Sequence, residues 1–410
     1  MNSLRYVLSH SLKIAVAAGL VMVAEAAMAA PQSQAAGSLG DYCRLVANRA
    51  ATVPCLDAVR EYDRGGLDLS FSLMRKAIAV APKEGNLRML SGIILLRQGN
   101  AAPAERDLRL ARNLGASDAG VLPPLFRAMI ARHEETPLLN EFPEPAANAT
   151  GEITAHILHG RALALRALKR YDEAGAALDR SLAQSRQPVA LGDRADIAVR
   201  QNNMALAGKL LDEVLERDPT NGSALIAKLD VLNRLGDPAK TLAFSEQILK
   251  MYPDNIESRA VRFNVFLKLN QDGRAKAELD AMAGRSPTLP LVHYYQAVFL
   301  ARHNDNDAAY QLVQALPPEF PKSHPEFATT MAKIALDHGG TELASNILGG
   351  ALSAAPDLLD VRLQLASLRM AQNSPQAAML VLNPVKDSPD PRLRKLMNQV
   401  QTRIAKDRAF

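Results

Sequence analysis

Residues Gly222 to Pro253 read GSALIAKLDVLNRLGDPAKTLAFSEQILKMYP, and their spacing decides the fold. Leu225, Leu229, Leu232 and Leu235 recur every three or four residues, the period of one helix face, and Leu242, Ile248 and Leu249 continue on a second helix. Between the two, Gly236 supplies an unhindered backbone for a turn, and Pro253 stops the second helix. The stretch predicts an antiparallel helical hairpin. Neither helix is long enough to be stable alone, so the hairpin needs neighbours to stack against.

The neighbours have the same period. Pro219, Pro253, Pro287 and Pro321 are 34 residues apart, and Pro356 follows after 35. Twelve residues before them stand Ala207, Thr241, Ala275, Ala309 and Ala344, and Ala378 continues the series. Small residues at a fixed place let two helices approach closely. Gly65, Gly99, Gly236 and Gly339 lie five residues ahead of that place, at the turn within each hairpin. No run of alternating apolar and polar residues argues for strands, so the class is all-α.

This pattern resembles the tetratricopeptide repeat, a 34-residue helical hairpin with small residues at the contact and Pro at its end. The resemblance implies a right-handed superhelix, an α-solenoid of about ten hairpins over residues 49–390. Its units end near Pro82, Ala116, Thr150, Pro188, Pro219, Pro253, Pro287, Pro321, Pro356 and Asp390. The chain departs from the family in having no Trp at the usual early position. The third unit, about residues 117–150, is irregular. There Thr136-Pro137 and Phe142-Pro143-Glu144-Pro145 predict a shortened second helix and a loop of about eight residues. Residues 30–48 form an N-terminal segment and 391–410 a C-terminal capping helix, with Leu393, Leu396, Val400 and Ile404 on one side. No linker separates independent domains.

Composition agrees with an ordinary folded protein: of 410 residues 48% are apolar and 22% charged, which excludes a disordered or collagen-like chain. Residues 1–29 read as a secretory leader. Arg5 and Lys13 give the positive start, Ile14 to Val23 the apolar stretch, and Ala27-Met28-Ala29 the small residues before a cut after Ala29. The apolar run falls short of the roughly 20 residues of a membrane-spanning helix. No Cys lies near the cut, so the expected product is a soluble periplasmic protein without a lipid anchor and without a membrane span. Its net charge of +4 is spread over both signs and gives no footprint for nucleic acid. Cys43 and Cys55 are close in a chain bound for an oxidising compartment, where a disulfide is the expected state and two buried thiols the alternative.

Motifs for chemistry are scarce. The chain has no Gly-rich phosphate loop, dinucleotide fingerprint or G-x-S-x-G turn. His156 and His159 share one helix face and would suit a metal-dependent hydrolase only if a third ligand joined them. Partly exposed polar residues are the simpler reading, so neither catalysis nor a metal or other cofactor is expected.

The polar feature that repeats is a ladder. Arg166, Arg200, Arg234, Lys268 and Arg302 recur at 34 residues near the C-termini of first helices, with Arg132 extending the series. A cation there complements the helix dipole, and the same ladder could engage an acidic partner. His159, Ile226, Asp230, Tyr294 and Val298 are expected on the same concave surface, where such repeats take extended peptides or helices. Of Tyr294 and Tyr295, one should point into the core, and few aromatics disfavour direct polysaccharide binding.

A closer resemblance rests on Gly115 to Leu122 with the diproline Pro123-Pro124 that follows, Phe142-Pro143, and His293-Tyr294-Tyr295-Gln296-Ala297. These are similar to the periplasmic tetratricopeptide protein of PEP-CTERM and exosortase-linked exopolysaccharide systems. That resemblance implies a scaffold that holds envelope proteins during exopolysaccharide assembly or export. The chain departs from that family in lacking the lipid-attachment Cys and in being much shorter. A scaffold for secretion, cell division or outer-membrane biogenesis is the alternative within the same class.

Overall fold

The computed structural model describes residues 38–407, and among these the chain consists of α-helices and short 3-10 turns, with no strand. The secretory leader, its cut after Ala29 and the start of the N-terminal segment lie outside the described residues. The described residues fall into two compact units, 38–231 and 232–407, divided inside a helix rather than at a linker.

In the first unit α1 (Leu39–Arg44) precedes five helix pairs. They are α2 (Arg49–Asp63) with α3 (Leu67–Val80), α4 (Gly85–Arg97) with α5 (Ala101–Asn113), α6 (Asp118–Ala131) with α7 (Glu135–Glu141), α8 (Glu152–Ala167) with α9 (Tyr171–Gln184), and α10 (Pro188–Arg200) with α11 (Met204–Arg217). The division falls within α12 (Gly222–Leu235). In the second unit follow α13 (Pro238–Met251), α14 (Ile256–Lys268) with α15 (Asp272–Arg285), and α16 (Pro290–Arg302) with α17 (Asn306–Gln314). A short α18 (Phe320–Ser323) leads to α19 (Ala328–Asp337) with α20 (Thr341–Ala354), then α21 (Leu359–Ala371) with α22 (Pro375–Leu382), and finally α23 (Pro391–Asp407).

Every first helix ends on one residue in the left-handed conformation. These are Gly65, Gly99, His133, Lys169, Asn202, Gly236, Asn270, Asn304, Gly339 and Asn373, with φ between 54° and 86°. The following amide reaches back to close the helix, as Asn100 N does to Leu95 O at 2.8 Å and Asn203 N to Ala198 O at 2.7 Å. Gly reaches this conformation without a Cβ penalty and Asn tolerates it, so the sequence needs one or the other at each turn. His133 and Lys169 are the exceptions.

Five residues after the turn the helices of a pair touch, at Ser70, Ala104, Ala174, Ala207, Ala275, Ala309, Ala344 and Ala378, all 0% exposed, and Thr241 at the same place of α13 is 1% exposed. The third pair has the larger Leu138 there, also fully buried, on a helix of seven residues. Pro219, Pro253, Pro287 and Pro356 sit in the turns between helices, as their period predicts. Pro188 does not close a unit; it opens α10 as its first residue, where a missing N–H costs nothing.

Two pairs are broken by proline. In the third, Pro137 lies within α7 and the chain leaves the helix at Phe142, giving ten non-helical residues, 142–151. The carbonyls freed by that break are taken by two guanidiniums. Arg161 donates to Leu139 O at 3.0 Å and Phe142 O at 2.7 Å, and Arg180 to Pro145 O at 3.0 Å and Ala146 O at 3.1 Å. Phe142 turns inward, edge-on to Phe126 at 4.8 Å. The second break is not legible from the period. Pro317-Pro318 follow α17 at nine residues, and Pro321 keeps the 34-residue register while sitting inside α18. At the end of the chain, Leu393 and Val400 of α23 are fully buried with Ala366, Ala378 and Leu382.

Candidate partner-binding site

The ladder is set by the turns. Arg97, Arg200, Arg234, Lys268 and Arg302 each stand two residues before the left-handed residue, in the last turn of a first helix. Counting by 34 misplaces two members. Arg132 is the cap residue after α6, and Arg166 stands three residues before Lys169 because α8 is longer. Arg97, missed by that count, belongs in the series.

Three of these cations, Arg97, Arg200 and Arg302, reach back to the preceding pair. Arg97 donates to Tyr62 O at 2.6 Å and lies 4.4 Å over the Tyr62 ring. Arg200 lies 5.6 Å over the Tyr171 ring, and Arg302 bonds Asp272 and Asn270 Oδ1, both at 3.0 Å. The next residue along often does the same: Gln98 bonds Asp68 at 3.0 Å, Gln201 bonds Asp172 at 2.8 Å, and His303 and His338 lie 3.4 and 3.2 Å from Asp272 and Asp307. One signal for these acids was present in the sequence, an Asp two or three residues after the turn.

In the first unit the ladder joins a network across α8 and α10. His159 Nε2 is 2.7 Å from Asp193 Oδ2, and Arg166 donates to Asp193 Oδ1 at 2.9 Å and to Asp196 at 3.5 Å. Arg200 donates to Asp196 at 3.0 Å. Burial alone would push the Asp193 carboxyl up, but the His159 bond and the charges of His159, Arg166 and Arg127 outweigh it and hold the carboxyl low. The two acids were not among the residues expected at the site. They neutralise the cations that were.

The other expected members are packing residues. Ile226, Asp230, Tyr294 and Val298 are 6, 9, 6 and 8% exposed and offer little surface to a partner. Both tyrosines are buried, not one: Tyr294 stacks on Phe327 at 4.3 Å and Tyr295 meets Phe263 edge-on at 5.3 Å. Burial pushes both phenols well above their ordinary range. His156 and His159 serve separate partners. His156 is buried 3.6 Å from Glu152 on its own helix, and burial holds its imidazole toward the neutral form. No group of three or more His, Cys, Asp and Glu side chains converges among the described residues. No described helix is long and apolar enough to cross a membrane.

Part of the chain is similar to a known family. Residues 192–256 match the family model of the tetratricopeptide repeat. No curated protein sequence matches the chain. Among solved structures, a tetratricopeptide repeat protein from Parabacteroides merdae is 13% identical, with 73% of this chain and 100% of that one covered and a TM-score of 0.40. Yeast Tom70 is 14% identical, with 90% and 92% covered and a TM-score of 0.41. PilW, a type IV pilus biogenesis factor, is 16% identical, with 52% and 99% covered and a TM-score of 0.42. The matched stretch, residues 192–256, supports the tetratricopeptide repeat superfamily, and paired helices stand on either side of it in the sequence.

Proposed function

We propose that the chain is an exported, non-catalytic scaffold that holds envelope proteins on the face shared by its first helices, in exopolysaccharide assembly or export. One observation carries the choice of face. The network of His159, Asp193, Arg166, Asp196 and Arg200 runs from α8, the first helix of one pair, to α10, the first helix of the next, so that these two pairs offer one continuous polar surface. Helical-hairpin arrays of this superfamily bind partner proteins, which supports the reading. The leader and the resemblance of the His293 to Ala297 segment support the compartment and the pathway.

Because the cations of the network are already paired, a purely acidic partner would have to displace Asp193 or Asp196. A peptide or helix bearing both charges and an apolar edge fits better, since Arg127 and Val189 lie exposed beside the network. Crosslinked pull-down of the tagged mature protein from cell envelopes, beside an Arg127→Glu, Val189→Asp variant with an unchanged melting curve, tests this. Recovery of polysaccharide synthase, polymerase or export-channel proteins by the unmutated protein alone is expected. Recovery of secretion or division proteins instead would refute the pathway, and equal recovery by the variant would refute the face.

A further inference from the structure

The first described helix belongs to no pair. α1 instead lies against the first helices of the first three pairs. Cys43 is bonded to Cys55 of α2, their Cα atoms 5.6 Å apart. Tyr42 reaches α6, where its Oη stands 3.2 Å from the point that a Cβ on Gly120 would occupy, and Met89 Sδ of α4 comes within 2.7 Å of the same point. Gly120 therefore keeps open a seat that any side chain would fill. Cys43, Cys55 and Met89 are fully buried and Val46 is nearly so, while Ala47 N donates to the Glu84 carboxylate at 3.1 Å.

The register of these contacts gives them meaning. Cys55 and Met89 each stand ten residues before the left-handed residue of their pair, and so does His159 of the partner face. α1 thus lies along the register that His159 holds in α8, and that Ile226 and Tyr294 hold, buried, in later pairs. It is a short helix with Leu39 and Tyr42 turned to the array and Arg44 exposed, followed by an exposed Leu45 and a buried Val46. Its side chains show what chemistry that face accepts.

We propose that α1 is an internal occupant of the partner face, strapped down by the Cys43–Cys55 bond, and that reduction by a dithiol frees it so that a short amphipathic helix of another protein takes its place. This rests on the reading that the first helices form the docking face. In the reduction, two electrons and two protons pass from the dithiol to the two sulfurs, leaving two cysteine thiols and the dithiol as its own disulfide. Both sulfurs are buried, so the attacking thiolate meets them only when α1 lifts, and the bond then decides whether α1 returns. A helix of six residues is not stable alone, so it stays only where the bond, its buried side chains and the Ala47–Glu84 contact keep it seated.

Hydrogen exchange on the full chain, oxidised and then reduced with dithiothreitol, tests the strap without a substitution. The amides of Leu45 and Val46, bonded to Asp41 O and Cys43 O, should exchange at least about tenfold faster after reduction, with Leu191 of α10 unchanged. Unchanged exchange at Leu45 and Val46, or equal loss at Leu191, would overturn the strap. For the occupant, a fluorescent peptide of residues 38–48 with Cys43→Ser is titrated into the full-length Tyr42→Asp, Cys43→Ser variant. Binding at least about tenfold tighter than to the oxidised natural chain is expected, and Gly120→Leu in that variant should remove it. Absence of that difference overturns the proposal. This readout uses the chain's own segment, so it can succeed or fail independently of which envelope protein is recovered above.

Discussion

The Arg97 guanidinium donates to the Tyr62 carbonyl at 2.6 Å while lying 4.4 Å over the ring of the same tyrosine, so one side chain joins the end of α4 to the end of α2. A lysine could reach the carbonyl but could not lie flat on the ring and bond at once. Arg97→Lys should therefore cost about 1 kcal/mol and Arg97→Ala about 2, combining a charged hydrogen bond with a cation–π contact. Urea denaturation of the two variants checks this, and equal stability of Arg97→Lys and the natural chain would count against the stacking contribution.

The strained turns predict stabilisation by substitution. His133 and Lys169 hold φ of 60° and 61° at places where the other pairs use Gly or Asn. Lys169→Gly and His133→Gly should each raise stability by up to about 1 kcal/mol, since a left-handed L-residue costs roughly 1–2 and added unfolded-state freedom takes part of that back. Asn202→Ala should lower it. Thermal melts that order these variants otherwise would show that the side chains at 133 and 169 make compensating contacts.

The guanidinium clamp on residues 142–151 makes a third expectation. Arg161 is nearly buried and holds two carbonyls that the broken α7 leaves without amide partners. Arg161→Met keeps the apolar stem but orphans both, at a cost of about 2–4 kcal/mol. Limited proteolysis should then cut within residues 143–150 first, and a loop as resistant as before would mean that water replaces the guanidinium without penalty.

Acid should weaken the first unit. Burial lowers the His156 pKa in the folded state, so the unfolded chain binds the proton more readily. The contribution is fully present above the ordinary histidine value of about 6.5 and is lost as pH falls below it. Asp193, also held low, adds a second loss below about pH 4. His156→Gln should flatten the urea midpoint between about pH 7.5 and 5.5, and Asp193→Asn should flatten it only further down. An unchanged slope in His156→Gln would show that another group carries the acid sensitivity.

The helical pairs were legible because their determinants are local. Leu225 to Leu235 and Gly236 encode one hairpin without reference to anything distant, and the 34-residue period multiplies it. The turns at Asn202, Asn270, Asn304 and Asn373 follow the same logic with a different residue, and a search for glycine alone passes over them. The break at Pro317-Pro318 was hidden because Pro321 keeps the period while no longer serving as a hairpin end. The site was harder to read, since its neutralising acids come from neighbouring pairs. Asp193 meets His159 across 34 residues and Arg166 across 27, and Tyr294 is buried by Phe327 from a segment that no period announces.

The self-closing turn bears on how the molecule is made. Because each first helix is terminated by bonds within its own last few residues, and each contact residue lies five positions further on, a pair can dock on the pair before it as soon as about 30 further residues are free, without waiting for the rest of the chain. Even the Cys43–Cys55 bond spans only twelve positions. A polypeptide organised in this way, threaded end-first through a narrow pore, can condense turn by turn on the far side, each new pair docking on the one before it and drawing the remainder forward.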